Sequence, residues 1–272
     1  MVPRPRPMRL GVSRARRTLT GRRALERPLS PSPMDLHTSV AAVTGASRGI
    51  GRAVAAQLVS AGARVFGLAR SEGDLEAVQT GLGDAFVPVV CDVTDGASVE
   101  AAIERVADEG GQIDLLVNNA GLGRFADVDA LDESDWHLQV DTNLTGLYRC
   151  TAAAVPHMKR LHERTGRTAH IVNVASIAGL IGNPGLSAYN ATKFGVRGFS
   201  ESTMKELRPH GIKVSCVYPG SVDTHFGDGA GTSPNPHAMA AEDVASTVLH
   251  VVQTPPGYLV SEVVMRPMKT RG

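Results

Sequence analysis

From Ser39 onward the chain alternates short apolar, β-branched runs with longer stretches of helical period. The runs are SVAAVT, RVFGLA, AFVPVVC, IDLLVNN, AHIVNVA, IKVSCVY and SEVVMR. Between them, the spacing of apolar positions predicts helices over 49–60, 72–80, 95–109, 133–163, 187–208 and 241–252. Strands that are apolar along their whole length, with helices between them, belong in a parallel sheet covered on both faces and built from right-handed crossovers. The expected fold class is therefore α/β, a doubly wound parallel sheet of about seven strands with helices on both faces. No linker-like break interrupts the alternation, so residues 34–272 read as one domain.

The first predicted strand runs into Thr44-Gly45-Ala46-Ser47-Arg48-Gly49-Ile50-Gly51 and then the helix RAVAAQLVSAG. Glycines at 45, 49 and 51 permit a tight turn and close approach of backbone to a ligand. The helix N-terminus that follows presents free N–H groups and partial positive charge, which suit a pyrophosphate. A glycine turn alone also serves as a plain strand-to-helix connection. At the first strand–helix junction of a doubly wound sheet it points to a dinucleotide held by Gly45, Ser47, Arg48, Gly49, Ile50 and Gly51. The second strand ends in Leu68-Ala69-Arg70-Ser71, with no carboxylate before Glu72. An acid there would bind the ribose hydroxyl of NAD, whereas an arginine accommodates the phosphate of NADP. Arg70 and Arg48 thus favour NADP(H), with NAD(H) possible if both are solvated surface residues.

Strand C-termini at the switch point are where ligands lie. Asp92 ends the third strand and is read either as an acceptor for the adenine amino group or as a turn carboxylate. Asn118, Ala120 and Gly121 end the fourth; Asn118 reads either as a cofactor contact or as a turn-stabilising amide, and the small residues let a cofactor lie against backbone. The fifth, HIVNVAS, delivers Ser176 to the same edge, and the helix after it carries Tyr189 and Lys193 one turn apart, on one face. A tyrosine ordinarily holds its proton to about pH 10, and a nearby ammonium favours the phenolate. Ser176 can hold a substrate oxygen while Tyr189 gives or takes a proton, which is what hydride transfer to a carbonyl carbon requires. A seryl nucleophile is the rival use of Ser176, but Ser176 does not sit in a G-x-S-x-G elbow and no histidine is suitably placed.

TGASRGIG, NNAG, the Ser176 strand end, YNATK and YPGSVDT occur in this order, and together they resemble the short-chain dehydrogenase/reductases of the single-domain type. The resemblance covers residues 39 to about 267. It implies a Rossmann fold that uses NAD(P)(H), with Tyr189 as general acid/base. It also implies that Lys193 binds the nicotinamide ribose and lowers the pKa of Tyr189, and that Ser176 orients the carbonyl. Asn143, in VDTNLTG, reads from the residues alone as a mid-helix polar group facing another helix. The resemblance makes it a fourth catalytic residue that holds a water in the proton relay. Likewise Pro219, Gly220, Val222 and Thr224 look like the segment that packs on the nicotinamide. The stretch HFGDGAGTSPNPHAMAAED has little helical pattern, and in the family this region is the substrate lid.

Composition changes the picture mainly at the N-terminus. Of 28 basic and 27 acidic residues, the first 33 hold nine arginines and Glu26, which leaves 19 basic and 26 acidic in the rest. The globular part is acidic, so nucleic-acid binding is not expected. The tail is Arg-rich, Pro-punctuated and without apolar period, and it reads as a disordered extension. It has the charge of a transit peptide, but its prolines spoil the amphipathic helix such peptides need, and Met34 is the natural alternative start. No apolar run approaches the ~18 residues of a membrane span. Cys91, Cys150 and Cys216 have no metal-ligand spacing and read as reduced, buried thiols of a cytoplasmic protein. The nine histidines show no paired spacing, so no metal is expected. Helices 133–163 and 187–208 carry apolar residues beyond one stripe; core burial accounts for these as well as self-association does, and the resemblance implies a homodimer or homotetramer. The reading is an NADP(H)-dependent oxidoreductase acting on a small carbonyl or alcohol. An NAD-dependent alcohol dehydrogenase and a non-catalytic dinucleotide sensor are the alternatives.

Overall fold

In the computed structural model of the protein, residues 33–224, 226 and 236–269 are described. The expectation of a disordered tail and most of the expected lid therefore lie outside the described residues. The seven apolar runs are β1 (Val40–Thr44), β2 (Arg64–Ala69), β3 (Phe86–Val90), β4 (Leu115–Asn118), β5 (Ala169–Val174), β6 (Ile212–Pro219) and β7 (Glu262–Met265). They form one parallel sheet in the order β3-β2-β1-β4-β5-β6-β7. Neighbouring strands lead away in opposite directions from β1 and β4, so the C-terminal ends of these two strands open the crevice of a doubly wound sheet.

The helices are α1 (Gly49–Ser60), α2 (Glu72–Leu82), α3 (Gly96–Gly110), α4 (Glu133–Val140), α5 (Gly146–Thr165), α6 (Ser187–Leu207) and α7 (Ala241–Val252). Their buried faces make two cores. On one side Val54, Leu58, Val248 and Val252 pack against Val43, Val117 and Val172. On the other, Val99, Ile103, Val106, Met158 and Leu161 pack against Phe66, Leu116 and Ile171. Adjacent strand residues thus feed opposite cores, and this requires the strands to be apolar throughout. Among the described residues no helix is long and apolar enough to cross a membrane. Cys91, Cys150 and Cys216 are buried thiols outside any disulfide.

The expected single helix over 133–163 is not continuous. Between α4 and α5 the backbone of Asp141–Thr145 widens into a π-helical turn with the buried Asn143 at its centre. In the apolar period such a turn shows only as a one-residue slip of the buried face, which a single short stretch does not distinguish from a break in the pattern.

Asn118 also departs from expectation. Its side chain is turned beneath the crevice edge, where its amide donates to Thr151 Oγ at 3.0 Å and to Asn173 Oδ1 at 2.9 Å. Asn173 in turn donates to Ser200 Oγ at 2.8 Å. This buried ladder ties β4, β5, α5 and α6 together, so Asn118 sets the strand end and does not present its side chain to a ligand. Asn173 is fully buried and bonded at both ends. Asn173→Ala removes one hydrogen bond each from Asn118, which keeps Thr151, and from Ser200, which keeps Val196 O, and should lower unfolding stability by about 2 kcal/mol, with urea denaturation as the check; an unchanged midpoint would contradict this account of the ladder.

Candidate active site at the switch point

The glycine turn is shaped by contacts that only glycine allows. Gly45 has φ 66° and Gly49 φ 53°, both in the left-handed region. A Cβ on Gly51 would stand 2.2 Å from the carbonyl oxygen of Gly45, so α1 begins directly against the turn. Thr44 and Asn119 hold the turn to β4. The Thr44 hydroxyl accepts from the backbone N–H of Asn119 at 2.9 Å and of Ala120 at 3.0 Å. The Asn119 amide donates back to Thr44 O at 3.0 Å and Gly45 O at 3.3 Å. Neither residue stands out in the sequence as part of the site; the one signal is a second asparagine in NNAG, at the strand end facing the glycine turn.

Helices α2 and α3 are capped by the side chains of Ser71 and Asp95. The first turn of α1 has no side-chain cap, and its cap position is Arg48, a cation with no acceptor to offer. An uncapped helix start beside a glycine turn fits an anion of the pyrophosphate kind. Arg48 and Arg70 are both exposed. Burial works to raise the Asp92 carboxyl, but hydrogen bonds from Thr94 and the charge of Arg70 outweigh it, and the group lies below its ordinary value. Asp92 Oδ1 accepts from Thr94 N at 2.9 Å and Thr94 Oγ at 2.8 Å, the turn role anticipated as the alternative.

Ser176 follows β5 and starts a short 3-10 turn, Ile177–Gly179, by accepting from Ala178 N at 3.2 Å. The turn lies on α6. A Cβ on Gly179 would come within 2.6 Å of Lys193 O, so glycine there lets the serine reach the helix that carries Tyr189 and Lys193. Asn190 secures the approach: its amide donates to Ala178 O and Ile181 O, and its carbonyl oxygen accepts from Asn183 N. Ser176 stands close enough to the phenol of Tyr189 to favour its ionised form.

Tyr189 and Lys193 are 8 % and 4 % exposed. Lys193 Nζ lies 5.7 Å from the centre of the Tyr189 ring and donates to Val174 O at 3.1 Å. Burial pushes the lysine down to about 8, the neighbouring Cys216 opposing it. Burial also pushes the phenol up to about 12, with Ser176 pulling the other way. In the protein alone Lys193 does not bring Tyr189 down as expected: desolvation of the phenolate sets the rise, only Ser176 opposes it, and the lysine's hydrogen bond goes to a backbone carbonyl.

Asn143 grips the loop after β4. It accepts from Leu122 N at 2.8 Å and donates to Leu122 O at 2.8 Å and to Thr192 Oγ on α6 at 3.2 Å. It therefore does face another helix. Gly121 is brought beside it, since a Cβ there would lie 3.2 Å from Asn143 Oδ1 and 3.5 Å from Lys193 Nζ. At the end of β6, the Pro219 carbonyl accepts from Ser176 Oγ at 3.5 Å, and Gly220 N donates to Met265 O at 2.9 Å. Val222 bridges to Met239. Thr224 stands over the glycine turn, its Cγ2 3.2 Å from where a Gly49 Cβ would be. The glycine turn, Gly121, Lys193, Ser176 and Thr224 thus border one crevice. Ser47 and Ile50, inside the turn, are partly exposed.

The family model for short chain dehydrogenases matches residues 39–234. The chain is 42% identical over 191 residues to a 3-oxoacyl-[acyl-carrier-protein] reductase of Vibrio harveyi, covering 70% of this chain and 76% of that one. A 3-ketoacyl-(acyl-carrier-protein) reductase from Brucella melitensis, solved with NADH, superposes with TM-score 0.78 at 28% identity over 84% of this chain and 97% of the other. An alcohol dehydrogenase from Thermococcus sibiricus, solved with 5-hydroxy-NADP, gives TM-score 0.78 at 28% identity over 86% and 98%.

The buried ammonium carries a testable consequence. Lys193 titrates at about 8 in the fold against 10.5 when unfolded. Between those values the unfolded chain holds the extra proton, so stability rises with pH there, and the cost of burial is full below about 8. Lys193→Met should be the more stable protein near neutral pH, by up to about 3 kcal/mol, with the gain fading above about pH 10. Thermal unfolding of both proteins across that range checks it, and a less stable Met variant near neutrality would refute the assignment.

Proposed function

The chain belongs to the short-chain dehydrogenase/reductase family, and on that premise we propose that it is an NADP(H)-dependent reductase of a ketone or aldehyde. The observation that carries the reading is the convergence just described: an uncapped helix start and glycine turn on one wall, and Ser176, Tyr189 and Lys193 on the other. Gly45, Ser47, Arg48, Gly49, Ile50 and Gly51 would hold the pyrophosphate, and Arg48 and Arg70 the phosphate on the adenosine ribose. Asp92 would border the adenine. Ala120 and Gly121 would lie along the cofactor, and Pro219, Gly220, Val222 and Thr224 would flank the nicotinamide. The bound reduced nicotinamide supplies a hydride to the carbonyl carbon.

The chain's own residues handle the rest. Ser176 holds the carbonyl oxygen by hydrogen bond, and Tyr189 passes it the proton that turns the developing alkoxide into an alcohol. A proton donor must then be restored through Lys193, and Asn143, locked on Leu122 and Thr192, positions the far end of that route. A phenol at about 12 is protonated near neutrality and can serve as the donor, though it gives up its proton less readily than an acid nearer the working pH. A cationic group bound beside Lys193, as an oxidised nicotinamide would be, would favour the phenolate and lower that value.

The relatives' activity makes a 3-oxoacyl thioester the first carbonyl to try. Tyr148 on α5 and Phe194 on α6 are exposed, which supports self-association through these helices. Steady-state reduction of a panel of ketones, aldehydes and a 3-oxoacyl thioester with NADPH and with NADH tests the proposal. NADPH should be preferred, and Arg70→Ala should raise its KM about tenfold while leaving that of NADH nearly unchanged. Equal use of both cofactors would remove the NADP assignment, and no turnover of any carbonyl would remove the reductase.

A further inference from the structure

The Tyr189 phenol is enclosed by two other rings. Phe125, on the loop after β4, meets it edge-on with centroids 5.5 Å apart. Phe226, beyond β6, lies tilted against it at 5.6 Å. The two phenylalanines reach Tyr189 from different connections, and both come close to Gly123. A Cβ on Gly123 would stand 2.7 Å from Phe125 Cε1 and 3.0 Å from Phe226 Cε1, so any side chain there would drive the rings apart.

The loop that carries Phe125 is fastened on both sides of Gly123. Before it, Leu122 exchanges two hydrogen bonds with Asn143. After it, Arg124 N donates at 3.1 Å to Oε1 of Gln139, a fully buried amide that itself donates to Asp135 O at 3.2 Å. Buried amides that clamp backbone hold an aromatic wall in a fixed place rather than leaving it to a mobile loop. Ring edges carry partial positive charge and ring faces partial negative charge, so a flat conjugated group seated among them gains edge-to-face contacts that a saturated group of the same size does not.

We propose that Phe125 and Phe226 form an aromatic collar around the Tyr189 hydroxyl, which selects carbonyl substrates bearing a flat conjugated substituent, aryl ketones and aryl aldehydes, over saturated ones of equal bulk. The proposal rests on the carbonyl-reductase reading and assigns that site a substrate class. Phe125 and Phe226 are specificity residues; neither exchanges a proton.

The test compares phenyl methyl ketone with cyclohexyl methyl ketone, two substrates of similar size and different flatness, with NADPH as reductant. The parent protein should favour the phenyl ketone about tenfold in kcat/KM, the scale of one or two ring contacts. F125L and F226L, which keep the bulk and remove the ring, should each cut that preference to about threefold while NADPH affinity, read by its fluorescence, stays within twofold. Equal kcat/KM for the two ketones, with a 3-oxoacyl thioester turned over normally, overturns the collar and leaves the reductase intact. An aryl preference that survives in both leucine variants also overturns it. No turnover of any of the three overturns the reductase reading and the collar with it.

Discussion

The site is organised around an ammonium group buried without a carboxylate. Among the described residues Lys193 has no ion-pair partner, and its Nζ reaches only the carbonyl of Val174. Desolvating a cation in this way is unfavourable, and the fold tolerates it because two large cores on either side of the sheet supply the stability. Much of the local architecture follows from placing that group. Gly179 is a glycine because the strand-end turn must touch α6 at Lys193, and at Gly121 the β4 loop runs close beside both Asn143 and Lys193. A positive charge kept in low dielectric acts strongly on whatever enters beside it.

The second constraint is how close separate strand ends must come. Thr44 on β1 holds the backbone after β4, Asn143 in the π-helical turn holds the next residues of that loop, and Ser176 reaches the end of β6. Each tie links two different crossovers, so the crevice is set before any ligand arrives. Beyond β6, Phe226 lies against the Tyr189 ring.

The sheet was legible because every strand feeds two cores and must be apolar at every position, a pattern that survives in a single sequence. The glycine turn, Ser176, Tyr189 and Lys193 were legible because each sits at a strand end or on a short spacing that the fold makes neighbours. What could not be read was geometry that leaves no pattern. DTNLT gives no sign that its helix widens around Asn143. Asn118 and Asn119 look alike in sequence, yet one turns under the sheet and the other clasps the glycine turn. The direction of the Tyr189 shift also escaped, because spacing puts a lysine beside a tyrosine but does not say how deeply both are buried.

The protein alone holds the Tyr189 phenol high, and on the proposed reading an oxidised cofactor bound beside Lys193 would bring it down. Titration of the Tyr189 phenolate by its ultraviolet absorbance, with and without bound NADP+ and with Tyr189→Phe as the blank, measures this directly. The account predicts ionisation at about 12 for the protein alone. It predicts a fall of about three or more units when NADP+ is bound, and the loss of that fall in Lys193→Met. A phenol that ionises at the same pH in both states would contradict it.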